Sequence, residues 1–399
     1  MSYLLLSFAL LLVSLPAMYL GKRVPVPSCA LMAALGLLLA FLPGVHGVLC
    51  DPAAGHIAFA ILLPPLLFEA SWLLNRSELR HDLLLIGLLV TSGVVLTCIT
   101  VAGIMRGVAG WSLSAALLLG ALLSATDPVS VIATLRALKL KGRLPLLLEA
   151  ESLFNDATAA VLFAVLLSAS VGAEMQMGEI ARVLLCKTGL GIVTGSGVAF
   201  VSRALWRWTV RGSSTAAVLQ LLFLSYLSYM LAEQLGGSGV LSVICCGLLM
   251  QGKRSGALGR KAERTWAGIA ALANTLIFLL LGIELGRVQW AAGWRTGLIA
   301  IAAGLIARAV SVYLHAALLR TSRHRVERAH QHVLVWGGLR GALALALAAS
   351  LPASLPARDA ILMATMAMVG FSSFVQAGTV KLLLERLHLL PVANAGQSA

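Results

Sequence analysis

The feature that most constrains the fold of this chain is a succession of apolar segments. Each is close to the length of about 20 residues that a membrane-spanning helix needs. The sequence of 399 residues is 59% hydrophobic and only 12% charged, which is more apolar side chain than the core of a soluble domain requires. We predict an all-α polytopic membrane protein with about thirteen spans, near residues 2–20, 24–43, 56–74, 83–105, 112–135, 147–171, 178–201, 214–234, 237–251, 267–286, 296–319, 331–350 and 358–383.

The 30 Lys and Arg residues are unevenly divided between the loops. Most lie in the odd-numbered loops and after the last segment, whereas the even-numbered loops hold Arg106, Arg182, Arg287, Arg295 and Arg358. Because cytoplasmic loops are the ones enriched in Lys and Arg, the N-terminus is predicted outside and the C-terminus in the cytoplasm. The net charge of +14 is thereby explained by topology in a cell inner membrane, and no nucleic-acid partner is expected.

The segments also predict an internal symmetry. Thirteen spans permit six helices, one linker helix and six more helices in inverted orientation, an arrangement common in secondary transporters. The fifth segment is interrupted by Thr126-Asp127-Pro128, and its counterpart, the twelfth, is interrupted by a glycine-rich stretch at 337–341. We therefore predict inverted repeats with two broken helices that cross, within one transmembrane domain over residues 1–390. Residues 391–399 are predicted to form a short cytoplasmic tail.

Three carboxylates fall at membrane depth, Asp127, Glu151 and Asp156. A charge in hydrocarbon costs at least about 3 kcal/mol, so such residues indicate a pathway for cations or protons. Pro128 removes a backbone donor and disfavours a helical conformation at Asp127, which frees carbonyl oxygens that a cation can use. The alternative is a proline kink in which Asp127 only caps the following helix.

Four polar residues share one face of the sixth segment, because Glu151 and Asn155, and likewise Ser152 and Asp156, are four positions apart. Carboxylate, hydroxyl and amide oxygens suit a hard cation such as Na⁺. A buried carboxyl group beside like charge can also hold a proton near neutral pH, and competition between the two ions is the minimum requirement for exchange. The alternative is a hydrogen-bonded polar seam that only ties helices together.

Two arginines also lie within apolar segments, Arg308 and Arg340. An unpaired buried arginine is costly, so each is expected to pair with a carboxylate that is not the transport ligand. The six cysteines lie mostly within apolar segments and lack the spacing of metal ligands, so neither disulfides nor a metal cofactor is expected.

Several motifs resemble a known family. SATDPVSV, EAESLFNDATAAVLF, GGSGVLSVICCGL, ANTLIFLLLGIEL, IARAVSVY and WGGLRGALALAL stand in the order and spacing of the NhaP-type bacterial sodium/proton antiporters and the related eukaryotic exchangers. The resemblance covers nearly the whole chain, from about residue 56 to about residue 350. It implies a monovalent cation/proton antiporter that forms homodimers, has thirteen spans and needs no cofactor. It further implies a core that moves like an elevator, here around 83–171 and 296–383, against interface helices around 2–74 and 214–286.

The same resemblance assigns roles to individual residues. Asp156 would be shared by Na⁺ and H⁺, and the residues around the ion would be Thr126, Asp127, Ser152 and Asn155. Glu151 would pair with Arg308, and Arg340 would support the crossing of the broken helices. Members with an Asn-Asp pair, as in Asn155-Asp156, generally exchange one cation for one proton, so transport is expected to be electroneutral.

Three other functions remain as alternatives. The chain could exchange K⁺ or Li⁺ instead of Na⁺, since side-chain oxygens bind all three ions. Asp127 and Asp156 could form the dyad of an intramembrane aspartyl protease, although the usual Gly-x-Gly-Asp context is absent. A passive cation channel is the third, although repeated filter elements are missing. We expect a transporter that is not an enzyme.

Overall fold

The computed structural model describes residues 28–41, 52–138, 140, 142–171, 177–210, 213–251, 256–287, 290–322, 324–352 and 354–389. All regular secondary structure in these residues is helical, which confirms the predicted all-α class. The predicted first span at 2–20 and the predicted tail at 391–399 lie outside the described residues.

The helices follow the apolar segments closely. In chain order they are α1 (Ser28–Ala40), α2 (Pro52–Leu73), α3 (Arg76–Val90), α4 (Ser92–Ala109), α5 (Leu113–Leu122), α6 (Val129–Ala137), α7 (Arg143–Val171), α8 (Met177–Val210), α9 (Ser214–Gln234), α10 (Gly239–Met250), α11 (Gly256–Arg287), α12 (Trp290–Leu318), α13 (Arg328–Trp336), α14 (Ala342–Ala349), α15 (Arg358–Phe371), a π-helical turn (Ser372–Gln376) and α16 (Ala377–Arg386). The predicted segments from 24–43 onward each overlap at least one of them.

Seven helical stretches in the described part of the chain are long and apolar enough to cross a bilayer. They are Glu78–Ala109, Arg143–Ser170, Ala181–Trp206, Ser214–Gln234, Lys261–Gly286, Gly293–Leu318 and Arg358–Arg386. Shorter apolar helices accompany them, among them α5 and α10. The chain is thus a multi-pass membrane protein, while the number of thirteen spans stays a prediction.

Two of the predicted spans are interrupted in the middle. The first break separates α5 from α6, which begins directly after Pro128, and the second separates α13 from α14. The breaks contact each other, since the Asp127 N–H donates a hydrogen bond of 2.8 Å to the Leu339 carbonyl. Each break therefore supplies a backbone partner that the other lacks, which matters at membrane depth because no water is available there.

The double proline in α2 is accommodated by a neighbouring helix. Pro65 has no N–H to donate to the carbonyl of Ile61 four residues earlier. The Tyr226 hydroxyl of α9 donates to that carbonyl instead, over 2.6 Å. On the next turns of α2, the buried Phe68 packs against Trp266 of α11, with ring centroids 5.4 Å apart. These contacts attach α2 to α9 and α11.

Small residues bring other helices into close contact. A Cβ at Gly282 of α11 would overlap the Ala33 backbone of α1, and a Cβ at Gly195 of α8 would overlap the Ser242 backbone of α10. Close approach at glycine is a common way for membrane helices to pack. One cluster of buried apolar residues joins α4, α5, α12 and α15. Next to this cluster, α7 contacts α3, α5 and α6. The polar face of α7 is thereby placed against the first break.

Candidate functional site

A cavity of about 280 Å³ lies against the first break. Its lining includes polar residues of the break and of α7, apolar residues of α2, and Asn274 of α11. Leu73 and Arg136, which also line it, stand at the ends of α2 and α6 next to basic loops, and Glu149 lies in the first two turns of α7. The cavity therefore extends from the interrupted helix toward the side of the protein that carries the odd-numbered loops.

The polar end of this cavity brings together four residues that the sequence singles out. Thr126, Asp127, Ser152 and Asp156 all line it. The Ser152 hydroxyl donates to the Thr126 carbonyl, which joins α7 directly to the first break. Asp127 and Asp156 thus face the same cavity from two different elements, the first break and α7. The Oδ1 atom of Asp156 is buried and has no hydrogen-bond partner among the described residues.

Asp127 is held on two sides. The Val129 N–H at the start of α6 donates to its Oδ1 atom over 3.0 Å, which forms an Asx turn that leads into that helix. On the other side its carboxylate lies against Gly341, where a Cβ would overlap it. Asp127 therefore bonds the start of α6 and also lines the cavity, while its role as a cation ligand stays a prediction.

Asn155 lies behind the cavity lining. Its amide Nδ2 donates to Glu151 Oε1 over 3.2 Å and is 3.4 Å from Thr126 Oγ1. Its Oδ1 atom is buried without a hydrogen-bond partner in the described part of the chain. Asn155 thus links the break to Glu151, which lies one helical turn earlier on α7.

Glu151 and Arg308 form a bidentate ion pair with distances of 2.7 and 2.8 Å. Both side chains are almost completely buried, at 2% and 5% exposure. Arg308 also donates to the Leu334 carbonyl in the last turn of α13, over 2.9 and 3.1 Å. The guanidinium fits because residue 338 is glycine, where a Cβ would overlap it. A buried pair with these additional hydrogen bonds meets the condition under which such pairs are tolerated.

Arg340 differs from the sequence expectation. Its Nη1 atom donates to the Ala125 carbonyl over 3.1 Å and is 3.4 Å from that of Ser124, and it forms no ion pair within the described residues. The physical reason is the first break, because Pro128 has no N–H that could donate to the carbonyl of Ser124 four residues earlier. Arg340 therefore supplies a hydrogen-bond donor to carbonyls that the first break leaves free.

Sequence reasoning did not assign a functional role to four polar residues that line the cavity: Glu69, Arg136, Glu149 and Asn274. Arg136 and Glu149 form an ion pair of 2.5 Å. Glu69, Arg136 and Glu149 stand near the ends of apolar segments, where charged residues are common because the membrane surface is close. The only available signal for Asn274 was one amide within the apolar run ANTLIFLLLGIEL.

Comparison with known proteins gives concordant matches over nearly the whole chain. Residues 8–386 match the family model described as sodium/hydrogen exchanger, transmembrane. The Na⁺/H⁺ antiporter ApNhaP of Aphanothece halophytica is 35% identical, over 92% of this chain and 70% of that protein. The low-affinity Na⁺/H⁺ antiporter NhaS1 of Synechocystis is 34% identical, over 98% of this chain and 76% of that protein.

The fold is also that of a solved structure. The sodium proton antiporter MjNhaP1 of Methanocaldococcus jannaschii superimposes with a TM-score of 0.77 at 20% sequence identity. The superposition covers 97% of this chain and 99% of the other. At this level of identity the similarity concerns the fold.

Proposed function

Because the chain belongs to the sodium/hydrogen exchanger family of membrane antiporters, we propose that it exchanges Na⁺ for H⁺ across the cell inner membrane. Cation/proton antiport is the activity named for its relatives. Na⁺ is the cation we propose, and Asp156 is the group that either ion occupies. The exchange needs no cofactor, and the ions themselves are the substrates.

One observation carries the proposal. Two carboxylates, Asp127 and Asp156, meet a hydroxyl and a broken helix at the polar end of one cavity, and Asp156 Oδ1 is buried without a hydrogen-bond partner among the described residues. A buried polar atom with no partner is costly, and more so when it is charged. Binding of either a cation or a proton to Asp156 removes that cost.

The surrounding groups suit this exchange. Carboxylate and hydroxyl oxygens, here from Asp127, Ser152 and Thr126, are ligands that a hard cation such as Na⁺ prefers. Asn155 orients the site indirectly, because its amide Nδ2 donates hydrogen bonds to Thr126 Oγ1 and Glu151 Oε1. Glu151 and Arg308 neutralise each other and take no part in binding the cation. Arg340 supports the region where the broken helices cross by donating to Ala125.

The cavity also supports a route for alternating access. One wall comes from α2 and α11, in the regions proposed as interface helices, and the other comes from the first break, α6, α7 and α14 of the proposed core. Movement of the core along the interface helices, like an elevator, would carry the site from one side to the other. By the positive-inside rule, the side toward which the cavity extends is the cytoplasmic side, with the N-terminus outside and the C-terminus inside.

The remaining architectural proposals follow from the same scheme. They are thirteen spans, inverted repeats around the two breaks, one transmembrane domain over residues 1–390 with a tail at 391–399, and a homodimer. The core comprises the helices around 83–171 and 296–383, and the interface comprises those around 2–74 and 214–286.

The test is cation-resolved exchange with purified protein in proteoliposomes that contain a pH-sensitive dye. Addition of Na⁺ should dissipate an imposed pH gradient, and parallel additions of Li⁺ and K⁺ establish whether K⁺/H⁺ exchange is the better description. Asp156→Asn should abolish the response while the protein remains folded. The matched control is Asp359→Asn, whose side chain is 95% exposed. A response to Na⁺ at the wild-type rate in Asp156→Asn would refute Asp156 as the shared residue.

A further inference from the structure

A π-helical turn in the last long helix contacts the end of the second broken helix. The turn, Ser372–Gln376, lies between α15 and α16. Turns of this kind are rare and frequently stand at functional sites. Gln376 is only 1% exposed, although its segment lies far in sequence from the residues around the cavity.

Gln376 is fixed at both ends of its amide group. Its Nε2 donates to the Trp336 carbonyl over 3.0 Å, and its Oε1 accepts a hydrogen bond of 2.7 Å from the Ser372 hydroxyl. Ser372 is completely buried. The π-helical turn thus carries both the residue that reaches α13 and the residue that orients it.

The acceptor is one of the carbonyls at the end of α13 that have no donor within the helix. The last four carbonyls of any helix lack such donors, and at membrane depth no water replaces them. In α13, Gly337 N–H bonds the Val333 carbonyl over 2.7 Å, Arg308 bonds that of Leu334, and Gln376 bonds that of Trp336. Gln376 is therefore a cap for the broken helix, supplied from another span.

The capped residue, Trp336, lies close in sequence to the part of the second break that contacts Asp127. Leu339, whose carbonyl accepts the Asp127 N–H over 2.8 Å, is three residues after Trp336. Gly341, which lies against the Asp127 carboxylate, follows two residues later. One side of the second break is thus held by Gln376 and the other side contacts Asp127.

We propose that Gln376 is a positioning residue for the cation site, holding the end of α13 so that the second break keeps Asp127 in place. The proposal rests on the antiport function proposed above. Gln376 does not line the cavity and binds no ion itself. It carries no charge, so its replacement changes the geometry of the break and leaves the electrostatics of Asp127 and Asp156 as they are.

Gln376→Met tests the proposal, because methionine fills a similar volume and makes no hydrogen bond to Trp336. The KM for Na⁺ should rise by about fivefold, the factor that corresponds to one lost hydrogen bond of ordinary net strength. The kcat should change little. Equal KM values for the variant and the wild type would overturn the proposal.

Gln376→Glu gives a test that a space-filling role would not satisfy. A protonated glutamic acid can donate to the Trp336 carbonyl, whereas a carboxylate cannot. The ratio of the variant's KM to the wild-type KM at the same pH should therefore fall as the pH is lowered. The ratio removes the ordinary competition between H⁺ and Na⁺, and a ratio that is independent of pH would count against a hydrogen-bonding role.

Two control variants separate capping from packing. Thr379→Val removes the acceptor of the Trp336 indole N–H, which is 2.9 Å away, and leaves the Trp336 carbonyl with its cap. Gln220→Met removes an equivalent glutamine bond, Nε2 to Ser202 Oγ over 2.9 Å, between α9 and α8. Both should keep the wild-type KM. A rise in Thr379→Val as large as that in Gln376→Met would assign the effect to packing alone.

A binding measurement makes the inference independent of transport. Na⁺ should raise the thermal unfolding temperature of the purified protein, and the concentration for half of that shift should be higher in Gln376→Met. Ser372→Ala keeps the Gln376 Nε2 donor but removes the hydroxyl that fixes the amide, so it should show a smaller change in the same direction. This variant replaces Gln376→Met in the test if Gln376→Met does not fold. If the Na⁺ concentration for half of the shift is unchanged in Ser372→Ala and in any Gln376 variant that folds, Gln376 is not a positioning residue. If the wild type binds Na⁺ but does not exchange it for H⁺, only the proposed function is refuted.

Discussion

The two breaks lie against each other and use opposite chemistry. The first contains a proline and a carboxylate, whereas the second contains three glycines and an arginine. Each contributes what the other lacks, since Asp127 N–H donates to Leu339 and Arg340 donates to Ala125. Only the first break presents a charge to the cavity together with Asp156.

The difference shows how an interrupted helix can serve either binding or support. In the second break, Gly341 leaves room for the Asp127 carboxylate and Gly338 leaves room for the Arg308 guanidinium. The second break contributes space and hydrogen-bond donors, while the first break contributes Asp127, the carboxylate that we propose as a cation ligand. Substitutions in the first break should therefore weaken cation binding directly. Substitutions in the second break should either weaken binding indirectly, by moving Asp127, or lower the stability of the fold.

The largest effect is expected from the charge of the first break. Asp127→Asn should raise the KM for Na⁺ by at least about tenfold, because a unit charge near a cation contributes more than the ~1.4 kcal/mol that corresponds to this factor. Proteoliposome exchange at varied Na⁺ concentration measures it, with Asp359→Asn as the matched control. An unchanged KM would remove Asp127 from the immediate surroundings of the ion.

A smaller effect is expected from the space that the second break provides. Gly341→Ala changes no charge, yet its Cβ would overlap the Asp127 carboxylate and displace it. The KM for Na⁺ should rise by about five- to tenfold. This factor corresponds to about 1–1.4 kcal/mol, the lower part of the free-energy cost of inserting extra volume into packed space. Gly103→Ala is the matched control, because a Cβ there meets nothing within 4 Å. If both alanine variants bind Na⁺ equally well, the second break does not shape the site.

The pair behind the second break should affect stability more than transport. Glu151→Gln or Arg308→Ala leaves one buried charge without its partner, which typically costs about 3–5 kcal/mol. The unfolding temperature should drop strongly while the preference among Na⁺, Li⁺ and K⁺ is retained. Arg136→Gln is the control, since Arg136 and Glu149 form a pair with side chains 62% and 29% exposed, and such pairs are worth about 0–1 kcal/mol. Single variants of Glu151 and Arg308 that melt like the wild type would contradict a structural role.

The sequence predicted both breaks because their causes are local. Proline removes a donor and constrains the preceding residue, and consecutive glycines weaken a helix wherever they stand. The helical segments were predictable for a similar reason, since hydropathy reports the environment of each residue directly. Glu151, Ser152, Asn155 and Asp156 also share a face by spacing alone.

What the sequence could not predict depends on contacts between distant residues. Arg340 was expected to pair with a carboxylate, yet it donates to a carbonyl 215 positions away. The free carbonyl was implied by Pro128, but its position beside Arg340 was not. The π-helical turn gave no signal either, because its sequence SSFVQ is compatible with an ordinary α-helix. Its contact with Trp336 exists only in the folded chain.

The smallest expected effect is that of membrane potential. Arg308 and Arg340 keep their charge throughout, because arginine does not lose its proton in proteins. We propose that Asp127, which accepts the Val129 N–H, stays charged in both states, so that only Asp156 changes its bound ion. One carboxylate then carries either one H⁺ or one Na⁺, and each half-cycle moves the same charge.

Exchange should accordingly be electroneutral, with a rate that passes through an optimum at the pH where H⁺ and Na⁺ compete evenly for Asp156. The measurement is proteoliposome exchange with the potential set by valinomycin and a K⁺ gradient, once exchange with K⁺ alone has shown that K⁺ is not a substrate. Neither the rate nor the equilibrium Na⁺ gradient should depend on the imposed potential. A gradient that shifts with potential would mean that a second proton moves in each cycle. Asp127, the other carboxylate at the polar end of the cavity, would then be its carrier, and the two breaks would no longer divide into a fixed ligand and its support.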